Sequence, residues 1–136
     1  MEMTWLSRWQ PQLLALLRIV AALLFMEHGL AKLFHFPVAQ PGAPDPLPTL
    51  LLAAALIEAV LGALIAIGLF TRIAAFLCSG EMAVGYFLFH FPKGFWPIVN
   101  MGEGAILYCF IFLYLAAAGA GAWSIDTLRE RKAPIR

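Results

Sequence analysis

Charged side chains are scarce in this sequence, which has nine Lys and Arg and eight Asp and Glu among 136 residues. Hydrophobic residues make up 62% of the chain, and its mean hydropathy is +0.86. A soluble domain normally has about 25% charged residues, because its surface must face water. The scarcity of charge therefore excludes an ordinary soluble protein and predicts an integral membrane protein.

Sequence motifs for metals and cofactors are also lacking. The two cysteines do not form a Cys-x-x-Cys pair, and the chain has neither a Gly-rich phosphate loop nor a Glu-x-x-His spacing of the di-iron bundle type. The sequence accordingly predicts no metal site and no certain cofactor, although quinone stays open. A net charge of +1 with no basic recognition face excludes nucleic acid as a partner.

Continuous apolar stretches are what the sequence has in abundance. Four of them reach the roughly 20 residues that a helix needs to cross a ~30 Å hydrocarbon core. The predicted helices cover residues 11–36, 48–69, 72–91 and 97–122, and a Pro-rich outer loop covers residues 37–48. We therefore predict an all-α fold, in which residues 1–136 form a single transmembrane domain, an integral membrane four-helix bundle.

Lys and Arg are distributed unequally between the two predicted membrane sides. The outer side has only Lys32 and Lys93. The inner side has the residues of the N-terminus, the second loop and the C-terminus: Arg8, Arg18, Arg72, Arg129, Arg131, Lys132 and Arg136. Because positively charged residues favour the cytoplasmic side, this distribution predicts that the N and C termini are both cytoplasmic.

The two halves of the sequence resemble each other. Arg18 and Arg72 each open a similar apolar segment, and Phe-His-Phe-Pro occurs near the end of both segments, around His35 and His90. Glutamates lie nine residues after each arginine. This pattern predicts two duplicated helical hairpins related by an axis along the membrane normal.

Every predicted helix carries one glutamate within its apolar span, which costs roughly 2.5 to 3.5 kcal/mol per residue on insertion scales. Helix rise places the four carboxyl groups at roughly 9 to 17 Å below the outer helix ends, so we expect one shared polar chamber. The candidate ligand-binding residues are Glu58 and Glu81, completed by Glu27, Glu103, His28 and Lys32. Two main interpretations stay open, which are interhelical hydrogen bonding and a site for a small redox molecule, substrate or proton. A third is a metal site by analogy with di-iron bundles, which the missing Glu-x-x-His spacing disfavours.

Other candidate groups have two interpretations each. Cys78 and Cys109 fall at similar depths on consecutive predicted helices, where they serve either as packing residues or as a redox-active pair. His35 and His90 either anchor helix ends at the interface or assist a proton-coupled step at a quinone headgroup.

The segment from Gly29 to Phe34, Gly-Leu-Ala-Lys-Leu-Phe, resembles the DoxX family of small four-helix bacterial membrane proteins. The resemblance spans nearly the whole chain, including the glutamate-bearing second helix and the arginine that opens the third. It implies a multi-pass protein of the bacterial cytoplasmic (inner) membrane, associated with respiratory or thiol redox chemistry. Some members resemble the membrane subunit of thiosulfate:quinone oxidoreductase, and others are linked with thiol-based oxidative-stress complexes.

These observations lead to one main hypothesis, in which a DoxX-like membrane subunit binds a small redox molecule such as quinone in the glutamate-lined chamber. No residue is assigned to catalysis, and an enzymatic role would be that of the membrane part of a quinone-linked oxidoreductase. Besides the lipid bilayer, the partners considered are a soluble redox protein and a second copy of the chain. The alternatives are a non-catalytic membrane scaffold for soluble redox enzymes and a small-solute transporter.

Overall fold

A computed structural model describes residues 3–133, and within this range the chain contains helices and no strand. Arg136, which was counted on the predicted inner side, lies outside the described residues. The α-helices in chain order are α1 (Thr4–Ser7), α2 (Gln10–Phe34), α3 (Thr49–Ile67), α4 (Thr71–Gly85), α5 (Pro97–Asn100), α6 (Glu103–Ala118) and α7 (Ile125–Lys132). A π-helix, Tyr86–His90, and a 3₁₀-helix, Phe91–Lys93, continue α4.

Three helical segments are long and apolar enough to cross a membrane: Gln10–Phe34, Thr49–Ile67 and Thr71–Lys93. The prediction of an all-α fold with apolar helices of membrane-crossing length is thereby confirmed. Helix α6 is also apolar, but its 16 residues rise only about 24 Å.

The fourth predicted helix differs from the structure. Instead of one helix over residues 97–122, α5 ends at Asn100 and α6 begins at Glu103. Met101 between them has a φ of 61°, a left-handed conformation that ends an α-helix. The chain is non-helical again after Ala118, because Gly119 and Gly121 have φ values of 89° and 73°.

The long helices pack in two pairs, α2 with α3 and α4 with α6, and α3 contacts α4 between the pairs. Their shared core is built around Phe25 and Phe112, whose ring centroids lie 4.8 Å apart, together with Ile65, Cys78 and Leu115. Small residues such as alanine fill most of the remaining core, which lets the helix backbones approach one another closely.

Arg18 links the two halves of the molecule by hydrogen bonds at one end. Its side chain is fully buried and donates to five backbone carbonyls: Ile65 (2.8 Å) and Ala66 (2.7 Å) at the end of α3, and Ala120 (2.8 Å), Ala122 (3.2 Å) and Trp123 (2.9 Å) after α6. Carbonyls at a helix C-terminus lack partners within the helix, so a guanidinium there satisfies them and matches the helix dipole. We refer to this end of the molecule as the Arg18 end.

Arg72 repeats this arrangement in the second half. It lies one residue into α4 and donates to the carbonyls of Ala116 and Ala117 at the end of α6. Each arginine thus binds the C-terminal carbonyls of the helix that pairs with its own. The equivalence supports the predicted duplication of a helical hairpin.

Helix α7 docks at the same end through Asp126. The Asp126 carboxylate accepts hydrogen bonds from the amides of Phe70 and Thr71, both at 2.9 Å, and so caps the start of α4. Burial acts to raise the pKa of Asp126, but the hydrogen bonds from Thr71 and Phe70 and the charge of Arg129 outweigh it, so that the pKa lies below its ordinary value.

Candidate functional site

A buried ion pair joins α2 to α3. The Nζ atom of Lys32 donates to both carboxylate oxygens of Glu58, at 2.7 and 2.8 Å. Only 10% of the Lys32 side chain and 5% of the Glu58 side chain are exposed. Such a pair is stable in an apolar setting only with close geometry, which this two-pronged contact supplies.

Gly29 explains why the two charged residues meet. A Cβ atom on Gly29 would lie 2.6 Å from the carbonyl oxygen of Ala55, 2.7 Å from the amide nitrogen of Ala59 and 2.9 Å from the Cβ of Glu58. Only glycine therefore permits this approach of α2 to α3. Because Lys32 lies three residues after Gly29, it is on the same helix face and its ammonium reaches Glu58.

Glu81 supplies a second buried carboxyl group beside the pair. Both of its carboxyl oxygens are buried without a hydrogen-bond partner among the described residues. It interacts electrostatically with both Glu58 and Lys32. The Lys32 ammonium therefore lies near two carboxyl groups but hydrogen-bonds only to that of Glu58. If Glu81 were ionised, its negative charge would have no hydrogen-bond partner among the described residues. We refer to Lys32, Glu58 and Glu81 together as the carboxylate cluster.

The other predicted members of the chamber do not enter it. Glu27 and Glu103 are both exposed, so the expectation of four converging carboxyl groups is wrong for these two. Glu27 lies two residues before Gly29, which turns it about 200° away from the helix face that contacts α3. Glu103 is the first residue of α6, because the helix begins later than predicted, and its charge is favourable at that N-terminus.

His28 occupies an intermediate position. Its ring is exposed, and its Nδ1 atom lies 2.9 Å from the carbonyl oxygen of Leu24, so Nδ1 is the donor. The ring also meets that of Tyr108 edge to face, with centroids 6.2 Å apart. His28 thus borders the cluster at the gap between α2 and α6.

The cysteines are both free thiols. Cys78 is fully buried in the hydrophobic core near Glu81, whereas Cys109 faces Ser79, whose hydroxyl donates to the Cys109 carbonyl at 2.7 Å. This placement supports the packing interpretation of Cys78. Within residues 3–133, no three or more His, Cys, Asp and Glu side chains are grouped so as to hold a metal ion.

Sequence reasoning missed a polar network at the end of the molecule opposite to Arg18. Asn100 is fully buried; its side chain donates to Tyr86 (3.1 Å) and the Gly94 carbonyl (2.8 Å) and accepts from the Gly102 amide (2.8 Å). The backbone carbonyl oxygen of Asn100 lies 3.0 Å from Nδ1 of His90. The available signal was an asparagine two residues before a glycine inside an apolar run, a common helix-ending pattern.

Two cavities lie near the Arg18 end. One of about 440 Å³ is bordered by α1, the first part of α2 and Tyr114, and one of about 450 Å³ by Gln12, Ile67 and the segment from Ala122 to Arg131. Neither is lined by a member of the carboxylate cluster.

The DoxX family profile matches residues 13–91, more than half of the chain. The chain belongs to the DoxX family. An uncharacterized protein of Haemophilus influenzae is 47% identical over 128 residues, covering 89% of this chain and 93% of that protein. No solved structure matches the chain.

The region that matches the family profile contains most of the residues of the site. Gly29, Lys32, Glu58 and Glu81 all lie inside the matched region, as does Arg18. Glu103 and the network around Asn100 lie beyond it. The chain is therefore a DoxX membrane protein. Its buried ion pair and the unpartnered carboxyl group of Glu81 lie within the region that matches the family profile.

Proposed function

We propose that this DoxX protein spans the cytoplasmic membrane of a bacterium four times, with the Arg18 end in the cytoplasm. Three helical segments have membrane-crossing length, and α6 is an apolar fourth that runs back to the same end as α2 begins. The basic residues Arg8, Arg129 and Arg131 lie at that end, which supports cytoplasmic termini. The equivalent contacts of Arg18 and Arg72 support an arrangement as two duplicated hairpins.

We further propose that the carboxylate cluster binds the polar head of a small redox-active molecule, such as a quinone. The observation that carries this proposal is the Glu81 carboxyl group, whose two oxygens are buried beside an ion pair and unpartnered among the described residues. A buried polar group without a partner is costly, and such groups concentrate at functional sites. A ligand that hydrogen-bonds to Glu81 would remove that cost.

The chemistry of the cluster matches a quinone and its reduced form. Lys32 has three N–H donors and uses two of them on Glu58, so the third remains for a carbonyl oxygen. Glu81 supplies acceptors for the O–H groups of a quinol. Donor and acceptor thus lie side by side for a headgroup that exchanges carbonyl oxygens for hydroxyls when it is reduced.

In this proposal the ligand enters from the membrane between α2 and α6, which make few contacts with each other. Phe25, Tyr108 and Phe112 close this gap by aromatic contacts, with ring centroids 4.8 to 5.8 Å apart. His28 stands at its edge. Movement of the Tyr108 ring is the step we expect to admit a flat headgroup.

The test is binding of a short-chain quinone to the protein in nanodiscs, measured with a photoreactive analogue. Glu81→Gln should weaken labelling about tenfold or more, because the amide replaces an acceptor oxygen with a donor. Glu103→Gln removes an exposed carboxylate at a helix end and should leave labelling unchanged. Equal labelling of the parent and of Glu81→Gln would show that the cluster is not the binding site.

Electron transfer at this site requires a redox partner. We propose a soluble redox protein that approaches the cytoplasmic face at the basic last turn of α7, which carries Arg129, Arg131 and Lys132. The roles of scaffold and of small-solute transporter stay predictions from the sequence.

A further inference from the structure

One face of α2 carries a stripe of exposed apolar side chains that leads to a carboxyl group. Leu16, Val20 and Leu23 are 47%, 54% and 48% exposed, and Glu27, four residues further, is exposed as well. These positions alternate by four, three and four residues, which is the a/d spacing of a coiled-coil seam. We name Leu16, Val20, Leu23 and Glu27 the α2 seam.

The α2 seam points directly away from the protein core. Arg18, Ala22, Phe25 and Gly29 are buried on the inner face of α2. At about 100° per residue, the Glu27 side chain leaves the helix on the opposite side from these four. The seam is therefore free for a neighbour outside the monomer.

Glu27 makes this face unsuitable for lipid alone. It lies seven residues before the end of α2 at Phe34, about 10 Å along the helix axis. Ionisable side chains at such depth almost always face a protein interior or a polar partner, because hydrocarbon offers no hydrogen bonds. Glu27 therefore requires a partner that supplies hydrogen bonds at the same depth.

A second copy of the chain meets this requirement. Copies insert in the same orientation, so a symmetric pair has its twofold axis along the membrane normal and its two α2 helices run parallel. Glu27 then lies at the same depth as the partner's Glu27. A protonated carboxyl group both donates and accepts, so two of them are self-complementary across the axis. Val20 at an a position with Leu16 and Leu23 at d positions is the combination that favours two strands.

We propose that the chain forms a homodimer through the α2 seam, in which the Glu27 side chains of two copies hydrogen-bond to each other inside the membrane. The pairing uses the face opposite to the carboxylate cluster, so it is independent of the proposed ligand.

Cysteine cross-linking in native membranes tests the location of the interface. Val20→Cys should give a covalent dimer on mild oxidation. The matched control is Val60→Cys, because Val60 is the same residue type on α3 and is 57% exposed. Val60→Cys and the parent, which has its own Cys78 and Cys109, should give no covalent dimer under the same oxidation. Cross-linking of Val60→Cys without that of Val20→Cys overturns the proposal.

Single-molecule counting after dilution into lipid bilayers tests the role of Glu27. Glu27→Ala should weaken self-association about tenfold, as expected for loss of an interhelical hydrogen bond in a membrane, whereas Glu27→Gln, which still donates and accepts, should associate like the parent. Glu103→Ala is the control for removing an exposed carboxylate. The proposal is overturned if the parent is monomeric throughout, if Glu27→Ala associates like the parent, or if another protein or a lipid occupies the face of a monomer.

Discussion

Lys32 and Glu58 differ from a surface ion pair in the cost of losing one partner. Because both side chains are almost entirely buried, an unpaired charge there would have neither water nor another counter-ion at bonding distance. The loss of one partner from a buried pair is therefore far more costly than the loss of both.

We expect Glu58→Ala to lower the free energy of unfolding by about 3–5 kcal/mol, because it leaves the Lys32 ammonium buried and unpaired. The double variant Lys32→Met, Glu58→Leu removes both charges and should recover most of that loss. Thermal unfolding in detergent, followed by circular dichroism, measures both variants. If the double variant is as unstable as the single one, burial of the lone charge is not the cause.

The sequence was informative about which residues carry charge into the helices but less so about where those charges point. Glu58 and Glu81 share faces with small residues, and the structure brings them together with Lys32. Glu27 has apolar residues three and four positions away in both directions, so its outward direction became evident only when Gly29 fixed the contact face of α2. The five carbonyl partners of Arg18 depend on tertiary contacts and leave no sequence pattern.

At the scale of helices, the α2–α3 contact depends on glycine. Gly29 touches the α3 backbone, and Gly62 of α3 would place a Cβ atom 3.0 Å from the Cβ of Met26. Helix existence was predictable from apolar runs, and the breaks at Met101 and Gly119 were not, because a 20-residue apolar run satisfies the length criterion with or without an interruption.

Gly29→Ala should lower the free energy of unfolding by about 1–3 kcal/mol, because the added methyl group forces two helix backbones apart. Gly104→Ala is the matched control, since a Cβ at Gly104 meets no atom within 4 Å. That substitution should raise the stability by up to about 1 kcal/mol through helix propensity alone. Unfolding of both variants under the same detergent conditions gives the comparison, and similar effects of the two would contradict close packing at Gly29.

At the scale of the whole molecule, two arginines hold the helix pairs together at one end, and they do so unequally. Arg18 is fully buried and connects the end of α3 to the segment after α6, whereas the hydrogen bonds of Arg72 are solvent-exposed and reach only the end of α6. The first arginine thus joins the two halves, and the second closes one half.

Arg18→Lys should destabilise the protein by about 3 kcal/mol or more, because an ammonium cannot reach the same five carbonyls and leaves several unsatisfied. Arg72→Lys should cost less than about 1 kcal/mol, since its site is open to solvent. Thermal unfolding of the two variants checks the difference. Equal destabilisation would mean that Arg18 does not link the halves.

The π-helix at Tyr86–His90 accounts for a difference in length between the two halves of the sequence. From arginine to the histidine of Phe-His-Phe-Pro, the second half is one residue longer than the first, and a π-helix is the local structure that accommodates one inserted residue. Every side chain beyond the insertion is turned by about 100°. The two halves thus have an arginine anchor in common at one end and differ at the other, where the first half holds the ion pair of Lys32 and Glu58 and the second holds the hydrogen-bonded Tyr86, His90 and Asn100.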